Sequence, residues 1–130
     1  MTKFPTINHV ALTVSDLERS VPWYQQLFDA EPVLDEDTGP FRHVVWSVGS
    51  TLVGLHQFPD GRDEAFDERR VGLDHLAFAC VDRTELERWE AQLDAMHVAH
   101  GGIIDAAYGS GLSFRDPDNI ALEFFAPPSA

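Results

Sequence analysis

An α+β fold of two tandem β-α-β-β-β modules is the architecture this sequence predicts, and three observations predict it. The chain repeats itself: at a constant offset of 66 residues, His9 falls on His75, Ala11 on Ala77, Asp16 on Asp82, Trp23 on Trp89 and Leu27 on Leu93. Chance does not readily align two histidines and two tryptophans in a chain with six and three of them. Each copy opens with an apolar-rich strand that gives way to a helical stripe. Turn residues then divide the rest of each copy into short strands.

The first strand is expected over residues 7–14. The helix after it carries Leu17, Val21, Tyr24 and Leu27 or Phe28 on one stripe. A proline belongs in a first turn, so Pro22 places the start of regular helix at about Ser20, after an irregular turn. Strands follow at 33–34, 43–48 and 51–58, the last two joined by Val48-Gly49-Ser50-Thr51. The acidic, arginine-containing stretch 60–70 reads as a linker with solvated charges. In the second copy the strand is expected over 73–81, then a helix opened by a Thr84/Glu87 capping box with Leu86, Trp89, Leu93 and Met96 on its stripe. Short strands near 98–100, 111–115 and 120–125 complete it, with Asp116-Pro117-Asp118-Asn119 as a strong turn. The expectation is one domain over 1–130, with module 1 at about 1–60 and module 2 at about 71–130.

Composition narrows the function. With 22 acids against 9 strong bases the formal charge is −13, which argues against nucleic acid and against anionic membranes. No stretch approaches the length of a membrane-spanning helix, and residues 1–10 lack the apolar run of a signal peptide. The single cysteine, Cys80, allows no intrachain disulfide. A cytoplasmic protein handling a small molecule is the expectation.

The chemistry-bearing residues cluster on strands. His9 alone reads as an ordinary strand residue, but its repeat partner His75 supplies a second imidazole, and a duplicated fold can bring equivalent positions to one cavity. Glu123 sits among Leu122, Phe124 and Phe125, where burial of a lone carboxylate is compensated by a cation; on the opposite parity it simply faces solvent. Sliding the final strands past one another puts either His56 or Gly54 opposite Glu123, so His56 is a candidate fourth ligand. His43 could line the same cavity, whereas His97 and His100, between the helix and a Gly101-Gly102 turn, read as surface residues. Tyr108-Gly109-Ser110-Gly111 lacks the lysine and helix of a phosphate loop and reads as a turn over a pocket, with Tyr108 and Arg115 as candidate substrate contacts.

The His9 strand with Ser15-Asp16-Leu17-Glu18-Arg19-Ser20 and Trp23-Tyr24, the His75 strand, and Phe114-Arg115-Asp116-Pro117-Asp118-Asn119 running into Leu122-Glu123 resemble the vicinal oxygen chelate superfamily. That group includes glyoxalase I, fosfomycin-resistance thiol transferases, extradiol dioxygenases and bleomycin-resistance proteins. Asn119 stands where glycine is usual, a mild departure because Asn tolerates a left-handed turn. The resemblance implies modules whose sheets form a cupped half-barrel around one divalent metal ion (Zn, Ni, Mn, Mg or Fe), commonly in a homodimer. It assigns ligand roles to His9, His75 and Glu123 and a fourth to His56 or its neighbourhood, with Glu123 also able to act as a base. The implied activity is metal-dependent lyase or isomerase, thiol-transfer or dioxygenase chemistry on a substrate chelating the ion through two oxygens. The alternative is a metal-free protein of the bleomycin-resistance type, in which the acidic charge and Trp46 hold a cationic or aromatic ligand.

Overall fold

A computed structural model describes residues 2–129; Met1 and Ala130 lie outside the described residues. The chain divides into two compact units, Met1–Glu64 and Ala65–Ala130. The first contains β1 (His9–Thr13), α1 (Leu17–Phe28), β2 (Leu34–Glu36), β3 (Arg42–Val48) and β4 (Thr51–Gln57). The second contains β5 (Leu76–Ala79), α2 (Arg83–Ala95), β6 (His100–Ala106), β7 (Gly109–Arg115) and β8 (Ala121–Ala126). Each is therefore a β-α-β-β-β module. Strand order is β1-β4-β3-β2 in one sheet and β5-β8-β7-β6 in the other. In both, the first strand pairs in parallel with the last and the remaining pairs are antiparallel.

Alternation along the strands builds the cores. Leu12, Val44, Trp46, Val53 and Leu55 are buried, as are Leu17, Tyr24 and Leu27 of α1. Leu112, Phe114, Leu122 and Phe124 play the same part beside Leu86 and Leu93 of α2, and Trp89 stacks on Phe124 with ring centres 4.3 Å apart. Among the described residues, no helix is long and apolar enough to cross a membrane.

Both helices start earlier than the stripe and proline suggest. The Asp16 side chain accepts from Glu18 N at 3.0 Å, so α1 begins at Leu17 and Pro22 lies inside it rather than in its first turn. The missing N–H forfeits only the bond to the Glu18 carbonyl, on an exposed turn that water reaches. Asp82, the repeat partner of Asp16, caps α2 by accepting from Glu85 N at 2.8 Å, while Glu85 Oε2 accepts from Val81 N. The capping pair is thus Asp82/Glu85 and not Thr84/Glu87, because the earlier residue with a capping oxygen reaches the orphan amide first.

The second sheet is also larger than expected. Gly101-Gly102 is not a turn but an irregularity within β6, where pairing shifts register between His100 and Ile103 and Gly102 takes φ +74°. The 116–119 turn forms as read: Asp116 Oδ1 accepts from Asp118 N and Ile120 N, both at 2.8 Å, and Asn119 adopts φ +67°. The last part of the expected linker belongs to this unit. Phe66 N donates to Asp118 O at 2.8 Å and Asn119 Nδ2 donates to Phe66 O at 3.0 Å. Cys80 is buried, and that burial, with Glu85 and Asp82 adding to it, pushes its thiol up to about 11.

Gly109 joins β6 to β7 at φ +142°, and a Cβ there would lie 2.5 Å from Ala126 O and 2.6 Å from Phe125 Cε1. Gly109→Ala is expected to cost roughly 2–4 kcal/mol in urea unfolding. Gly49→Ala, at φ +59° with nothing within 4 Å, should cost only about 1 kcal/mol. The Arg83 guanidinium and the Ser110 hydroxyl hold the Asp105 carboxyl at about 2, below its ordinary 3.8. Its stabilisation is complete above the ordinary value and is lost as pH falls through about 2. Thermal melts of Asp105→Asn should therefore show a shallower acid decline across that window.

Candidate functional site

In the second unit, the packing of Leu122 and Phe124 toward the core sends Glu123 to the opposite face of β8. There it pairs laterally with Ala77 on β5 and Ser113 on β7. Two small residues give it room: Ala77 beside it, and Gly111, where a Cβ would come within 3.0 Å of Glu123 Oε2. The outcome lies between the two parities weighed from sequence, for the Glu123 side chain is neither in the core nor free in solvent but 22% exposed. His75 Nε2 lies 3.9 Å from Glu123 Oε1, and the carboxylate accepts no hydrogen bond among the described residues. The other imidazole nitrogen is engaged: Nδ1 is 2.7 Å from Asp74 Oδ1.

The corresponding face of the first unit carries histidines instead. Ala11, the repeat partner of Ala77, pairs with Gly54. Gly54, not His56, therefore occupies the position of Glu123. His56 lies two residues on, opposite Thr13 and His43, and its Nε2 reaches back to 3.9 Å from where a Gly54 Cβ would be. Its ring stacks on Phe41 with centres 4.4 Å apart and 14° between planes. Burial holds the His56 imidazole below the ordinary histidine range, and nearby His43 and His9 add to the effect. His43, beside it, has Nε2 3.5 Å from Glu36 Oε2. His9 pairs with Leu52, four residues from His56 along β4, or ~13 Å of strand. Its Nδ1 is 2.7 Å from Asn8 Oδ1, the same contact that His75 makes with Asp74.

Among the described residues, no three of His, Cys, Asp and Glu are grouped closely enough to hold a metal. What the structure brings together is the pair His75 and Glu123. An imidazole nitrogen facing a carboxylate oxygen on a half-open face is a donor set that suits a divalent ion, and among the described residues that carboxylate accepts no hydrogen bond.

Two expected contacts, Trp46 and Arg115, read differently in the structure. Trp46 cannot meet a ligand: it is fully buried against Tyr24 and Phe28, and its Nε1 donates to Ala30 O at 3.0 Å. Odd–even alternation on β3 sends it to the core with Val44, while His43 takes the other face. Arg115 is occupied by Glu68 at 2.5 Å and by Asn119 O at 3.1 Å, which also gives Glu68 a partner within a stretch read as solvated. Tyr108 is 77% exposed and lies parallel to Phe125. His100 is no surface residue either. It is half-buried, with Nε2 2.7 Å from Asp94 Oδ1, and Nδ1 accepts from Gly102 N. Sequence reasoning missed Asn8, Asp74 and Gly111. The first two had a signal, since they too stand 66 residues apart. A polar depression in the first unit, lined by Asp16, Glu18, Asp37, Arg42, Gln57 and Pro59, contains none of the expected site residues.

Residues 6–124 match the model of the Glyoxalase/Bleomycin resistance protein/Dioxygenase superfamily, and the chain belongs to that family. It is 30% identical to the metallothiol transferase FosB of Shouchella clausii, an alignment covering 90% of this chain and 77% of that protein. A glyoxylase/bleomycin resistance protein/dioxygenase domain from Frankia sp. EAN1pec superposes with TM-score 0.89 at 31% identity, covering 98% of this chain and 96% of that one. A lactoylglutathione lyase from Agrobacterium tumefaciens shares the fold at TM-score 0.75 and 23% identity, over 95% and 96% of the two chains.

Because Trp46 is a core residue, Trp46→Phe is expected to cost about 1–3 kcal/mol in chemical denaturation through the unpaired Ala30 carbonyl and lost volume. Ligand and metal binding by the folded variant should be unchanged.

Proposed function

We propose that this protein is a divalent-metal-dependent enzyme whose small substrate chelates the ion through two oxygens, with transfer of a thiol to that substrate as its reaction. The observation that carries the proposal is the facing pair His75 Nε2 and Glu123 Oε1, 3.9 Å apart, with the carboxylate otherwise unpartnered among the described residues. The name metallothiol transferase, borne by a relative 30% identical, favours thiol transfer over the lyase and dioxygenase chemistries of the wider family. His75 and Glu123 would hold the ion. His9, the repeat partner of His75, is proposed as a third donor. His56 is proposed as a fourth on the family resemblance alone. When bound, the ion supplies Lewis acidity toward the two substrate oxygens. Glu123 keeps its place through the space that Gly111 leaves, and as the one carboxylate at the pair it could accept a proton from substrate. The functional unit is proposed to be a homodimer.

The alternative, metal-free capture of a cationic aromatic ligand, loses the Trp46 contact on which it drew and keeps only the charge of −13. Elemental analysis of protein purified without tag or chelator is expected to find about one ion per chain, as is reconstitution with zinc, nickel, manganese and ferrous iron. His75→Ala and Glu123→Gln should abolish stoichiometric uptake, His56→Ala should weaken it, and His97→Ala should leave it intact. Equal losses in all four variants, or no uptake by wild type at micromolar metal, would overturn the proposal. Thiol consumption against a panel of small electrophiles should depend on the restored metal.

A further inference from the structure

We infer that Asn8 and Asp74 are positioning residues that hold His9 and His75 in one tautomer, with the proton on Nδ1 and the Nε2 lone pair presented for binding. The use of that lone pair rests on the metal reading above; the tautomer itself does not. Each is the residue immediately before its histidine, and each places Oδ1 2.7 Å from Nδ1. A carboxylate can only accept, so His75 Nδ1 must carry the hydrogen, and the carbonyl oxygen of the Asn8 amide imposes the same on His9. Free histidine favours the opposite tautomer, with the proton on Nε2, so the observed one needs a partner to maintain it.

Two features argue that the contact serves a ligand and not the fold. Both contacts are exposed, with the Asp74 side chain 74% accessible, so as struts they would contribute little stability. In the second unit, moreover, the Nδ1–H form leaves an imidazole lone pair facing a carboxylate oxygen at 3.9 Å. Two electron-rich atoms so placed repel unless a metal cation, or at lower pH a proton on Nε2, lies between them. The two contacts differ in one respect: Asp74 carries a full negative charge where Asn8 carries a dipole, so His75 is the more strongly electron-donating ligand.

The test is imidazole nitrogen–proton correlation spectroscopy on chelator-treated, full-length protein, at a pH well above the ordinary histidine pKa of about 6.5. Wild type should show His9 and His75 protonated at Nδ1 and bare at Nε2. Asp74→Ala should move His75 alone, and Asn8→Ala should move His9 alone, toward the Nε2–H form; Asp74→Asn, which keeps an acceptor, should preserve the wild-type pattern. A wild-type His75 protonated at Nε2, or one indifferent to Asp74→Ala, would overturn the inference. Zinc affinity, read by competition with a chromophoric chelator, should fall about 10–100-fold in Asp74→Ala and less in Asp74→Asn. Wild type that takes up no zinc would defeat the metal reading, while the spectra still decide the tautomer.

Discussion

The parallel pairing of first and last strand in each module is the constraint on which the remaining features depend. A parallel neighbour cannot be reached by a hairpin, so the chain must leave β1 or β5, cross through a helix and two strands, and return alongside. That route sets β5, which His75 immediately precedes, beside the strand that carries Glu123, with Ala77 and Glu123 in register. Register also fixes direction. Leu122 and Phe124 must enter the core, and a slip of one residue would bury the carboxylate and expose both apolar side chains. The chemistry of the open face is thus enforced by packing on the closed one.

The two modules share this frame and have diverged on it. The second keeps a carboxylate flanked by small residues, Ala77 and Gly111, so that its oxygens stand clear. In the first, the carboxylate position is Gly54, and the space above it is overlooked by His56, itself braced by Phe41. Equivalent register positions thus carry different residues, Gly54 in the first module and Glu123 in the second.

Much of this architecture was legible in the chain because the repeat is itself a structural statement. The shared offset of His9 with His75 and of Asp16 with Asp82 marked the start of both strands and, as it proved, both helix caps. Local rules misled where two signals competed. Pro22 delayed the expected helix although Asp16 already offered a cap, and Gly101-Gly102 read as a turn although glycine serves a strand irregularity equally well. Register was out of reach, since Gly54 and His56 share a face and hydrophobic parity cannot tell them apart. Trp46 shows the converse limit: aromatic chemistry suggested a ligand, and only the cross-strand neighbours reveal that this ring faces the core. Asn8 and Asp74 share the 66-residue offset of their histidines, but the offset does not reveal that their side chains turn back onto the neighbouring ring.

The burial of Cys80 has a consequence for the reactivity of the chain itself. With its thiol pushed up to about 11 and 4% of its surface accessible, the chain's sole sulfhydryl is protonated and sheltered at neutral pH. A more exposed, thiolate-forming cysteine would be open to alkylation and oxidation. The fold therefore shields its own thiol, and modification of Cys80 becomes a chemical clock for global opening of the second unit.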